Sequence, residues 1–175
     1  MSKYVAPVHK FSSTQIQLPA ELHSAFKAAT KAIPDSVLAA DGRESEPHVT
    51  ALYGLHDEDP GAAKKIVSRH PPVKGRLGFA TLFKNDEHDV VKMDVHSPGL
   101  HALNADLKKL PNSNSHPEYK PHVTLAYVKA GHGDKFDGKA IPGLTGKSFS
   151  ADGVTFSSSN GKRTHLPFRA GSRYE

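Results

Sequence analysis

Two stretches of the chain carry the same four residues. Pro47-His48-Val49-Thr50 returns as Pro121-His122-Val123-Thr124, 74 positions later (122 − 48). The flanks agree as well. Ala51-Leu52-Tyr53 follows the first copy and Leu125-Ala126-Tyr127 the second, so each runs apolar after the threonine and sets a tyrosine five residues past the histidine. In an extended strand, side chains at i and i+2 share a face. Each copy therefore offers an imidazole beside a hydroxyl. One such histidine, alone among apolar residues, is more often a hydrogen-bonded structural residue than a catalyst; the matched pair points to chemistry.

Two imidazoles facing one phosphoryl group can divide the work of phosphodiester cleavage. An unperturbed histidine titrates at about pH 6.5, so a neutral general base and a protonated general acid are both accessible near neutrality. The threonine hydroxyls can hydrogen-bond the non-bridging oxygens. A repeat of about half a domain implies two lobes related by an approximate two-fold axis, which would bring both strands to one cleft. Strand parity puts Tyr53 and Tyr127 on the opposite side, in the core. Pro47 and Pro121 suit strand entry, where a missing N–H costs least.

The paired motifs, His48-Val49-Thr50-Ala51 and His122-Val123-Thr124-Leu125, resemble those of the 2H phosphoesterase superfamily, over a layout spanning roughly residues 11–168. The resemblance implies an α+β, bilobal, pseudo-two-fold fold, with two antiparallel sheets lining a central cleft and helices outside. It implies metal-independent hydrolysis of 2′,3′-cyclic phosphates, 2′-5′ linked RNA or oligoadenylates, or cyclic oligonucleotides. His48, Thr50, His122 and Thr124 would be the catalytic residues, with no cofactor. Phe11-Ser12-Ser13-Thr14-Gln15 before an early helix and the hairpin Phe156-Ser157-Ser158-Ser159-Asn160-Gly161-Lys162 look most like the bacteriophage anti-CBASS branch, which degrades cyclic di- and trinucleotide immune signals. An RNA 2′-5′ or 2′,3′-cyclic phosphate phosphodiesterase is the alternative. A nucleotide-binding module without turnover would not need both His-Thr pairs, and a structural protein with incidental repeats is the remaining reading.

The whole chain sets bounds. Its 175 residues suffice for one domain of two interleaved lobes with a sizeable core. It has no cysteine, hence neither disulfides nor thiolate metal sites. No apolar run reaches the length of a membrane span, and Met1-Ser2-Lys3-Tyr4-Val5 lacks the pattern of a signal peptide, so a soluble, cytoplasmic protein is expected. The formal charge is +5, unevenly spread. Seven acids stand against the single base Arg43 between Asp35 and Asp59, whereas Lys162, Arg163, Arg169 and Arg173 gather near the C-terminal end. Without a dense basic stripe, a small nucleotide fits better than duplex DNA.

Three other motifs carry no chemistry. Gly146-Lys147-Ser148 lacks the glycine a phosphate-binding loop needs, since Ile141 stands there. His56, His88, His96, His101, His116 and His132 lack a metal-ligand spacing such as His-x-x-x-His. Ser157-Ser158-Ser159 has no nucleophile-elbow glycines.

The elements that must position the motifs are legible in periodicity and punctuation. Alternation predicts a strand over Phe11 to Leu18. Pro19 opens a helix with Leu22, Phe26, Ala29 and Ile33 on one face. Residues 34–46 read as irregular after one helical turn at Pro34 to Leu38. Asp59 and Pro60 suggest an N-cap and first residue of a helix ending before Pro71-Pro72. Val73 to Phe83 and Val90 to Val95 form a hairpin, and Ser97-Pro98 caps a helix bearing Leu100, Leu103, Leu107 and Leu110. The motif strands are set near 48–53 and 122–128. Residues 129–147 read as a mobile connection or lid, and Ser148 to Phe156 pairs with Arg163 to Phe168 across Asn160-Gly161. Residues 171–175 read as a frayed tail.

One asymmetry between the copies bears on mechanism. Lys120 precedes His122 by two residues, where Glu46 precedes His48. If both strands stay extended, an ammonium flanks His122 beside the phosphate, making Lys120 a substrate-binding candidate, and a carboxylate flanks His48. This assigns His122 as general base and His48 as general acid.

Overall fold

The computed structural model describes residues 9–170; the tail expected over 171–175, with Arg173, and the first five residues lie outside them. Strand β1, Ser12–Gln17, feeds through Pro19 into a 3-10 turn at Ala20–Leu22 and helix α1, His23–Lys31. Leu22, Phe26 and Ile33 are buried as the periodicity requires. A second 3-10 turn, Asp35–Val37, comes at the expected place.

Residues 38–43 depart from expectation by forming a strand, β2, Leu38–Arg43. Its burial does not alternate, so no sequence period announces it. Tertiary partners hold it instead. Arg43 Nε donates to Thr30 O at 2.7 Å, the guanidinium also bonds Ile33 O, and it pairs with Asp35 at 2.6 Å. This cation, on a carbonyl of the last turn of α1 and one just beyond it, offsets the helix's negative end.

The first motif strand, β3, covers His48–Leu55. Helix α2, Gly61–Val67, has Pro60 rather than Asp59 at its N-cap; Asp59 Oδ1 instead accepts from Gly61 N at 2.7 Å. Strands β4, Val73–Lys84, and β5, His88–His96, form the expected hairpin, with a turn shortened by Asn85 Oδ1 accepting from Glu87 N and His88 N. Ser97 caps α3, Pro98–Leu107, by accepting from Leu100 N at 3.2 Å. The second motif strand, β6, is His122–Lys129. The strand expected over 148–156 breaks at Asp152 into β7, Ser148–Ala151, and β8, Gly153–Ser157; β9, Arg163–Pro167, closes the hairpin.

All pairings are antiparallel, and the order is β7-β4-β5-β6-β3-β1-β8-β9, with β2 also on β6. Two halves, each ending in a motif strand, thus join into one nine-stranded sheet where Val49 pairs with Val123. Only Asp152 separates β7 from β8, although they lie on opposite arms. The sheet must therefore curl until its arms meet there. Helix α1 packs on β6, and α3 on β3 and β4.

The connection over 129–147 is no lid. Ala80 N donates to Lys139 O and Gly138 N to Ala80 O, both at 2.8 Å, while Gly146 N and Leu77 N exchange bonds with Leu77 O and Lys147 O. Leu144 is fully buried. The segment is stitched along the edge of β4 beyond its pairing with β7.

Candidate active site

The two motif strands share a kink. In β3 the register steps from Gln15 opposite Thr50 to Thr14 opposite Leu52; in β6 it steps from Lys92 opposite Thr124 to Val91 opposite Ala126. Each strand thus holds an extra residue, Ala51 or Leu125, at the same place in the repeat. Such a bulge reverses the parity of the residues that follow it, until a second shift at Gly54 restores it in β3. Ala51 and Leu52 are both buried, as are Leu125 and Ala126. Tyr53, placed in the core by parity, is 39% exposed, and Tyr127 is half-buried, edge-on to His88 at 5.4 Å.

Before the kink, parity holds. His48, Thr50, His122 and Thr124 are all half-buried, between fully buried Val49, Ala51, Val123 and Leu125. The Val49–Val123 pair sets His48 level with Thr124 and Thr50 level with His122. All four side chains come to one face.

Each imidazole is anchored identically. His48 Nδ1 lies 2.9 Å from Glu46 O, and His122 Nδ1 lies 2.7 Å from Lys120 O. A carbonyl only accepts, so Nδ1 carries the proton in both rings and Nε2, on the far side, is free to take or give one. The main-chain carbonyls of Glu46 and Lys120, rather than their side chains, are what touch the histidines.

A cavity of about 640 Å³ meets this site at Thr50 and His122 and runs past Phe83, Tyr119 and Lys120 to Asn104 and Lys108 at the end of α3; His48 and Thr124 do not line it. The segment before β6 walls it off over β3. Tyr119 donates its hydroxyl to Thr50 O at 2.7 Å, and buried Asn104 donates Nδ2 to Ala51 O at 2.7 Å. Gly54, at φ 109°, brings the backbone of Asn114 to within 3.1 Å of where a Cβ would stand. Glu44 N does for Leu125 O what Asn104 does for Ala51 O, at 2.9 Å. Segments leading into one motif strand therefore cover the other.

The charges differ from the expectation built on Lys120 and Glu46. Glu46 pairs with Arg163 at 3.2 Å, and Lys120 approaches Glu118 at 3.9 Å; both reach the surface. The cation acting on His122 is Lys92, on the neighbouring strand. Lys92 Nζ donates to Thr81 Oγ1 at 2.6 Å and Asp94 Oδ1 at 2.9 Å, and lies 4.2 Å from the Phe83 ring centroid. The Phe83 ring meets the His122 ring edge-on at 4.9 Å. Burial, then Lys92 and His48, hold His122 below the ordinary imidazole value, against the Lys120 carbonyl and Asp94. Near His48, burial raises the Glu44 carboxyl, with His48 opposing.

Sequence reasoning did not single out Lys92, Asp94, Thr81 or Phe83. The signal was present: Lys92 stands directly between the apolar Val90-Val91 and Met93, and a charge buried among them needs a partner. Among the described residues, no group of three or more His, Cys, Asp or Glu is placed to hold a metal ion. Among them too, no helix is long and apolar enough to cross a membrane.

No protein-family model and no curated protein matches the sequence. Solved structures do match in shape. E. coli LigT in its apo form gives a TM-score of 0.61 at 18% identity, covering 91% of this chain and 98% of that one. LigT complexed with NADP+ gives 0.59 at 20% identity, covering 90% and 94%; LigT has also been solved with 3′-AMP and with phosphate. A protein described as a phosphoesterase gives 0.54 at 19% identity, covering 90% and 94%. Over nine-tenths of its length, the chain has the curled antiparallel α+β fold of E. coli LigT.

Proposed function

We propose that the chain is a metal-independent phosphodiesterase of the 2H type, acting on cyclic di- or trinucleotides of the kind used as immune signals. The observation that carries the reading is the pair of His-x-Thr motifs set level across one strand pair, each ring fixed by a carbonyl at Nδ1. One Nε2 removes the proton of the attacking hydroxyl, from water or a ribose 2′-OH, as the new P–O bond forms. The other, protonated, delivers its proton to the leaving oxygen as the old P–O bond breaks. Thr50 and Thr124 donate to the non-bridging oxygens as charge builds on them. Lys120, which lines the cavity, would have to turn from Glu118, 3.9 Å away, to bring its cation to the phosphate.

A ligand of nucleotide size is supported by the cavity, which lies within the range of small-molecule sites. The LigT complexes with NADP+ and 3′-AMP support a nucleotide bearing ribose phosphate. They also favour the second reading, an RNA 2′-5′ or 2′,3′-cyclic phosphate phosphodiesterase. Incubating the purified chain with cyclic dinucleotides, cyclic trinucleotides, 2′-5′ oligoadenylate and 2′,3′-cyclic mononucleotides separates the two. Linearisation of the cyclic oligonucleotides is expected. Cleavage of only the latter pair selects the second reading, and cleavage of none overturns both.

A further inference from the structure

The two halves of the cleft carry the same motif but different neighbours. Gln17 stands opposite His48 as Asp94 stands opposite His122; Gln15 stands opposite Thr50 as Lys92 stands opposite Thr124. The main chain confirms the equivalence, for Leu18 N bonds Pro47 O and Val95 N bonds Pro121 O, both at 3.0 Å. Two neutral amides on one side thus answer an ion pair on the other.

Lys92 is only 4% exposed. A buried ammonium is costly unless it is paired and hydrogen-bonded. Two of its three N–H donors meet Thr81 Oγ1 and Asp94 Oδ1, and its charge lies over the Phe83 ring. So engaged, it acts on the cleft through its field. Asp94 carries the opposite charge, but its side chain is 44% exposed against 6% for that of Lys92, so water screens the carboxylate more.

We propose that Lys92 is a positioning residue that keeps His122 in its neutral, proton-accepting form, which makes His122 the general base and His48 the general acid. The names of the roles rest on the phosphodiesterase reading; the coupling between Lys92 and His122 does not. The groups facing His122 are Lys92 and Asp94 from β5, His48 from β3, and Lys120, turned toward Glu118, from the segment before β6. From β4 come Thr81 and Phe83, neither of them charged. His48 has no ammonium in the place of Lys92. Its equivalent there is Gln15, and the charged groups nearest in sequence, Glu44 and Glu46, are acids.

The test tracks the ring signals of His122 and His48 by NMR across pH in the parent chain and in Lys92→Met, Lys92→Arg and Asp94→Asn. Removing the ammonium should raise the His122 midpoint, and removing its counter-charge should lower it. Lys92→Arg, which keeps the charge, should leave the midpoint in place, and the acid limb of kcat/KM should move with each midpoint. If Lys92→Met fails to fold by circular dichroism, the double variant with Asp94→Asn replaces it, with the same upward expectation because the better-buried charge dominates. A His122 midpoint unmoved by both charge-removing variants, or moved the same way by both, overturns the proposal. Absence of turnover on every phosphodiester would sink the enzymatic reading while the titration still decides the coupling.

Discussion

Val49 pairs with Val123, and on this rung the two halves of the sheet meet. Beyond it the motif strands part. Strand β2 covers the edge of β6, and the segment carrying Asn112, Asn114 and Tyr119 covers that of β3. The open edge of each motif strand is thus covered by a different segment. Directly opposed Cβ atoms in an antiparallel pair lie about 4.5–5.5 Å apart and diagonal ones roughly 7–8 Å. His48 and His122 are diagonal neighbours, a separation that a phosphoryl group with its attacking and leaving oxygens can span.

That geometry predicts a clear ranking of variants. His48→Ala and His122→Ala should each lower kcat/KM by roughly 10²- to 10⁴-fold, the usual worth of a proton-transfer partner. Thr50→Val and Thr124→Val should cost less, because each loses only one contact to the phosphoryl oxygens. Circular dichroism and melting should show the parent fold in all four. Normal turnover by a folded histidine variant would place the site elsewhere.

Proton transfer by two imidazoles requires no Lewis acid. Hydrolysis of the preferred substrate should therefore persist in saturating EDTA. Loss of activity on chelation, restored by one divalent ion, would refute the two-histidine mechanism.

Much of this architecture is legible in the residues. Ser97-Pro98 announces the start of α3, and the repeated tetrapeptide announces both motif strands. What escapes is set by tertiary partners. Tyr53 and Tyr127 obey strand parity on paper, but bulges at Ala51 and Leu125 arise from pairing with β1 and β5, which no period along one strand encodes. Strand β2 exists because β6 needs an edge partner and Arg43 anchors its end. Lys120 was the visible cation because it is close in sequence to His122, whereas Lys92 becomes its neighbour only through strand register.

The depressed proton affinity of His122 has a signed consequence for pH. Its folded value lies below the ordinary 6.5, with burial the leading cause and Lys92 the leading charge. As pH falls from that ordinary value, the unfolded chain binds the proton first, so folding stability declines through the window below it. The acid limb of kcat/KM should also lie below the ordinary imidazole value. Urea denaturation between about pH 7.5 and about pH 5 should show the decline, and His122→Gln should flatten the part that His122 supplies. A stability slope unchanged by that substitution would count against the burial of a neutral ring.

The last prediction concerns how β3 is held without a strand at its open edge. Leu125 O is satisfied by a backbone N–H from Glu44, but its equivalent, Ala51 O, depends on the side chain of Asn104, which is 6% exposed. Asn104→Leu keeps the bulk and deletes the donor. It strands a buried carbonyl and should destabilise the fold by about 1–3 kcal/mol. Tyr119→Phe removes a donor to Thr50 O at a partly buried position and should cost only about 0.5–1.5 kcal/mol. Both carbonyls flank the bend that aims Thr50, so each variant should also reduce kcat/KM more than a distant substitution on β9 matched to it in measured stability loss. Equal activity losses at equal destabilisation would show that Asn104 and Tyr119 support the sheet without aiming the site.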